Sequence, residues 1–178
     1  MRSEKTFSTL LLQALFTTVL SDLDHIVLPA TTAFLGVHGH NSYRAYIKFL
    51  DAYGIPWAII SDGPALRKGS KLSQDLQQLN RWPNAPEPGE DQDFDQWRTH
   101  WERAGVFTLA TRFGDDGTKS GEFEELLRHV DPELFGRAMT ETGGSKPRAG
   151  AYFAAAHPEL PHPVRDLFQK IAEYLHLT

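Results

Sequence analysis

The strongest constraint on the fold is a pair of apolar runs, Thr31–Val37 and Trp57–Ser61, each ending in a polar, glycine-containing turn. Between them, Asn41 to Tyr53 has the spacing of a helix, and Gly54 is placed to stop it. Trp57-Ala-Ile-Ile is apolar at every position, which predicts a parallel strand covered on both faces. Strand, helix and strand in that order predict a right-handed βαβ unit. Asp62 then falls at the C-terminal end of the second strand. In an open α/β sheet that edge is where ligands gather, and a carboxylate there offers hard oxygens to a divalent cation.

The remaining elements follow from period and punctuation. Glu4–Leu20 reads as an amphipathic helix on Phe7, Leu11, Ala14, Leu15 and Thr18, with Ser3 as its cap, and Ser21–Ala30 as a connection. The second helix carries an apolar stripe of Tyr46, Ile47, Phe49 and Leu50. Helices are expected over Ser70–Leu79, Asp93–Ala104, Glu122–His129, from Pro132 to about Met139, over Arg148–Ala156 and over Pro163–Leu175. The last uses Val164, Leu167, Phe168, Ile171 and Tyr174. Val106–Ala110 reads as a third strand. Trp82–Asp91, Phe113–Ser120 and Glu141–Lys146 read as loops. The sum is an α/β domain: a small, mostly parallel sheet flanked by helices, with helical C-terminal additions.

A chain of 178 residues with 40% hydrophobic residues can build a core of its own, and no cysteine is present to form disulfides or thiolate metal sites. A net charge of -5 argues against a generally basic nucleic-acid binder, though not against a local basic patch. The run Thr6–Leu20 is too short and too polar to span a membrane, and Glu4 and Lys5 make it a poor signal peptide. A cytoplasmic protein without membrane contact is therefore expected.

Three strand ends carry polar turns: His38-Gly-His40, Asp62-Gly63, and the turn after Ala110 that leads to Glu122 and Glu124. Acidic side chains from separate segments meeting at one sheet edge would hold Mg²⁺ or Mn²⁺, which activates water and stabilises phosphoryl charge. Each residue also has a plainer reading. Asp62-Gly63-Pro64 is a turn-forming sequence. Glu122, Glu124 and Glu125 suit the first turn of a helix. Lys146, after Gly143-Gly-Ser, reads equally as a solvated lysine. Trp97 and Trp101, four residues apart, read as packing. His38 and His40 lack a third ligand. No phosphate-binding glycine loop and no nucleophile elbow is present.

Taken in order, Ser3-Glu-Lys-Thr-Phe, Val37-His-Gly-His-Asn-Ser42, Gly54-Ile-Pro-Trp-Ala-Ile-Ile-Ser-Asp-Gly63, Gly105-Val-Phe-Thr-Leu109, Gly121-Glu-Phe-Glu-Glu-Leu126 and Ser145-Lys-Pro-Arg148 resemble the C-terminal TOPRIM nuclease domain of the OLD (overcoming lysogenization defect) family. The resemblance spans residues 1–178 as one TOPRIM-like domain, with a core to about residue 130 and a helical part from about 131. It implies a Mg²⁺- or Mn²⁺-dependent DNA endonuclease, with Ca²⁺ as a non-catalytic substitute. In the family this domain follows an ABC-type ATPase, which implies an ATPase domain or subunit as partner and a role in phage defence.

The resemblance implies metal-binding roles for Asp62, Glu124 (or Glu122) and Glu4, and a phosphate contact for Lys146. Two departures accompany it. Ser3-Glu4 aligns with the end of the family's first motif, so the first strand and its glutamate would lie before Met1. Pro64 stands where the second aspartate of an Asp-x-Asp motif belongs. These departures imply a truncated or weakened site, or a non-catalytic DNA-binding or assembly domain derived from the family. A phosphatase-like hydrolase with Asp62 as nucleophile is a third reading. A central sheet without its first strand would expose backbone groups, which predicts aggregation or a homodimer.

Overall fold

A computed structural model of the protein describes residues 33, 35, 43–89, 93–113, 123–156 and 162–176; within the helices, the side chains at 123, 124, 126, 146, 147 and 154 fall outside the description. The expected helix Glu4–Leu20, the connection Ser21–Ala30 and the turn His38–His40 therefore lie outside the described residues. So does most of the strand Thr31–Val37, whose positions 33 and 35 are in no regular structure. Among the described residues the protein is mixed α/β and mostly helical, with seven α-helices and one parallel two-stranded sheet. They divide into two compact units, one within Val37–Glu125 and one that joins Leu126–Thr178 with residues 33 and 35.

The first unit contains α1 (Tyr43–Ala52), β1 (Ile59–Ile60), a 3₁₀ turn (Gly63–Leu66), α2 (Lys71–Gln78), α3 (Phe94–Arg103) and β2 (Val106–Phe107). Helix ends fall where the chemistry of capping puts them. The Ser70 side chain accepts from the Ser73 amide, and Asp93 accepts from that of Gln96. Gly54 and Gly105 stop α1 and α3 at φ +63° and +77°, a left-handed region open to glycine without penalty. The Ile55 amide closes back on the Leu50 carbonyl at 2.9 Å, satisfying a carbonyl that the end of α1 leaves open.

Ile59 pairs with Val106 and Ile60 with Phe107, and the Ile59 and Ser61 amides donate to the Gly105 and Phe107 carbonyls, both at 2.9 Å. Both strands are shorter than expected. Trp57 and Ala58 are only half-buried, so the first strand lacks the two-sided cover its sequence suggested. Val106–Ala110 is buried throughout, but only its first two residues pair: the Thr108 hydroxyl accepts from the Ala110 amide at 3.0 Å and turns the chain out of the sheet.

The core of this unit is Ile47, Ile59, Leu66, Leu72, Leu76, Trp97, Trp101 and Val106. Trp101 is fully buried, and its indole N–H donates to the Leu66 carbonyl at 2.7 Å, so the polar atom is satisfied inside the core. Trp97, His100 and Trp101 form the inward face of α3 at the spacing of one helical stripe. The stripe of α1 differs from the sequence expectation. Ile47 is buried and Leu50 half-buried, whereas Tyr46 and Phe49 are 41% and 56% exposed. The inward face is Tyr43, Ile47 and Leu50, at i, i+4 and i+7.

Helix α4 (Phe123–Val130) begins in the first unit's residue range and ends in the second's. The second unit continues with α5 (Pro132–Glu141), α6 (Lys146–Ala156) and α7 (His162–Tyr174). Asp131 caps α5 by accepting from the Leu134 amide at 2.8 Å. Gly143 and Gly144, at φ +61° and +75°, make a tight link, and α5 packs on α6. The link is shorter than the sequence suggested. Lys146 is the first residue of α6 rather than part of a loop, because Pro147 is tolerated in a first helical turn. Along α7, Val164, Leu167, Phe168, Ile171 and Ala172 are buried. Tyr174, expected in that stripe, is 38% exposed and is the last residue of the helix.

Candidate functional site

Asp62 follows directly on β1 at its C-terminal end, and its carboxylate is exposed. Its side chain makes no capping hydrogen bond to the 3₁₀ turn that follows, so the carboxylate is not used to form that turn. Pro64 fills the second position of the turn and presents no ligand atom.

The neighbours of Asp62 come from three directions. Ser61, buried, ties the backbone to β2 through the Phe107 carbonyl. Tyr43, at the N-terminus of α1, is hydrogen-bonded to the Ser61 side chain and lies within the field of the Asp62 charge. Burial holds the Tyr43 hydroxyl above the ordinary phenol pKa; the Ser61 hydrogen bond works against that shift, and the Asp62 charge adds to it. Gly63 lies flush against the turn after β2. A Cβ built on it would stand 2.1 Å from the Arg112 carbonyl oxygen and 3.0 Å from that of Phe113. The turns that follow the two strands are therefore in backbone contact, and only glycine permits it.

Arg112, in that second turn, pairs with Glu125 of α4 at 2.5 Å. This brings the start of α4 to the same edge. Glu124 is the second residue of α4, one position before Glu125, and its side chain is outside the described residues. Glu122 and Glu4 lie outside them altogether, as do His38 and His40. Lys146 opens α6, in the unit that holds Leu126–Thr178, and its side chain is likewise not described. Among the described residues no three His, Asp or Glu side chains stand close enough to hold a metal ion together. Asp62 is the one described carboxylate of the expected set.

Beyond the 3₁₀ turn a cleft of about 410 Å³ opens, lined by Arg67, Lys68, Trp97 and Phe113. Lys68 stands 3.7 Å from the Glu87 carboxylate, which also accepts from the Trp82 indole at 3.1 Å. The Trp97 indole donates to the Gly89 carbonyl at 3.3 Å. Trp97 and Trp101 pack as their spacing suggested, with 3% and 0% of their surface exposed.

Sequence reasoning passed over Tyr43, Arg112 and the cations Arg67 and Lys68, and set Ser61 aside for want of a nucleophile elbow. A signal for Tyr43 was present. A helix leading into a parallel strand starts at the end of the sheet where that strand finishes, so the first residue of α1 belongs near the end of β1. Nothing in the local sequence marks Arg112, which reaches Glu125 across residues that carry no regular period.

Comparison with protein-family models, with curated proteins and with solved structures finds no match for this chain.

Proposed function

We propose that this chain is a metal-dependent DNA endonuclease domain of the TOPRIM type, related to the OLD nucleases. One observation carries the reading: Asp62 stands exposed at the C-terminal end of a parallel strand, with Gly63 pressed on the turn after the neighbouring strand. That is the edge at which such a sheet binds ligands. Asp62 would hold Mg²⁺ or Mn²⁺ together with Glu124, Glu122 or Glu4. Such a cation supplies Lewis-acid stabilisation of phosphoryl charge. Lys146 would contact the scissile phosphate, and Tyr43 and Ser61 would fix the strand end that carries Asp62. An ABC-type ATPase domain or subunit and a homodimer belong to the same proposal.

Plasmid nicking by the purified chain with Mg²⁺ or Mn²⁺ tests it. The expected result is metal-dependent nicking that falls by at least about 100-fold in Asp62→Ala, since a catalytic metal contributes several kcal/mol. Nicking that survives the substitution would sink the assignment. Pro64 at the second acidic position favours a second reading, a non-catalytic DNA-binding or assembly domain. That reading expects DNA binding with no nicking in either metal.

A further inference from the structure

The cleft that follows the 3₁₀ turn is lined by two kinds of side chain, cationic and aromatic. Arg67 ends the same 3₁₀ turn that Asp62 begins, and Lys68 follows it, so one wall is cationic. The other wall is aromatic. Phe113 is half-buried and braced edge-on by Phe94, with ring centroids 4.9 Å apart at 80°. Trp97 backs the cleft as a rigid surface, held by its bond to Gly89. Lys68 is already paired with the Glu87 carboxylate, so a phosphate that meets this ammonium shares it with Glu87.

We infer that this cleft is a subsite for single-stranded DNA: an unpaired base lies against Phe113 while its flanking phosphates meet Arg67 and Lys68. The inference rests on the reading of Asp62 as a phosphodiester-cleaving residue, since the cleft shares its turn. Cations beside an aromatic face are the general chemistry of single-strand binding, because every base has a stacking face and every linkage a charge. A base inside an intact duplex is stacked on both sides and cannot reach Phe113. The site therefore takes frayed, looped or single-stranded DNA. Glu87 competes with a phosphate for Lys68, so the Trp82–Gly89 segment moderates binding.

The test is fluorescence anisotropy of a labelled short oligothymidylate with the full chain in EDTA, beside a duplex of equal length. The single strand is expected to bind about 10-fold more tightly than the duplex. Arg67→Ala with Lys68→Ala should weaken it and lower the salt slope by about 1.4, or roughly 0.7 for each phosphate contact. Phe113→Leu should weaken it by about 5-fold or more and leave the slope unchanged. Glu87→Gln should tighten binding, a gain that misfolding cannot imitate. No binding, equal binding of duplex, or variants that bind like the wild type would overturn the inference. Nicking assays on the same proteins separate the two claims. Binding through these residues without nicking sinks the cleavage reading and keeps the subsite; Asp62-dependent nicking with indifferent binding does the reverse.

Discussion

Replacing Gly63 by alanine puts a methyl carbon 2.1 Å from the Arg112 carbonyl oxygen and within 3.1 Å of two Phe113 backbone atoms. Carbon and oxygen in ordinary contact stand about 3.3 Å apart or more. The turns must therefore separate by about 1 Å, and because every obstructing atom is backbone, no rotamer change relieves the clash. Overpacking of this kind costs about 1–3 kcal/mol and sometimes more. For a chain of this length each kcal/mol moves the melting temperature by about 2–4 °C, so a fall of about 2–12 °C is expected. Gly136 supplies the contrast. It lies inside α5 with nothing within 4 Å of a built Cβ. Alanine there should raise stability by about 0.4–1 kcal/mol by restricting the unfolded chain. Thermal melting followed by circular dichroism measures both. A Gly63→Ala protein that melts within about 1 °C of wild type would refute the backbone contact between the two turns.

Two further predictions concern buried polar groups. His100 is buried with neither ring nitrogen hydrogen-bonded, and burial lowers its pKa, with the Glu87 charge opposing and Arg103 adding. A depressed folded-state pKa means that its stabilising contribution is present above the unfolded value of about 6.5 and is lost as pH falls through that value toward the folded one. His100→Phe should gain about 1–3 kcal/mol near neutral pH and flatten the decline in melting temperature on acidification; a slope identical to wild type would count against this. Asp75 is fully buried, with one oxygen on Lys71 and the other unpartnered. Lys71→Met should cost about 3 kcal/mol by stranding the carboxylate, and adding Asp75→Leu should recover most of it. Urea midpoints decide, and a double variant no more stable than the single would refute the pairing argument.

What was legible in the chain was what local chemistry fixes. Ser70, Asp93 and Asp131 start helices because their side chains satisfy open amides, and Gly54 and Gly105 stop them because the chain turns left-handed there. The apolar periods of α3 and α7 point to the faces that are buried. The stripe of α1 was legible at Ile47 and Leu50 and misled at Tyr46 and Phe49, which are exposed while Tyr43 packs inward. The place of Asp62 after a strand was legible from the apolar run before it. Its neighbours were not, because the approach of Gly63 to Arg112, and of Tyr43 to Ser61, joins distant parts of the chain and leaves no local pattern.

The pairing of β1 with β2 also bears on when the Asp62 edge comes into being. Its partners, Ile59 and Val106, are separated in the chain by the whole of α2, the proline-rich Trp82–Gly89 segment and α3. Closing so long a loop costs chain entropy before any hydrogen bond between the strands can form. The helices, held by local bonds, need not wait for that closure. The contact of the two strand-end turns is thus expected to form late in folding. By the same logic it is an early loss on partial opening, so amide exchange at Ser61 and Ile59 should report the integrity of the site sooner than any helix does.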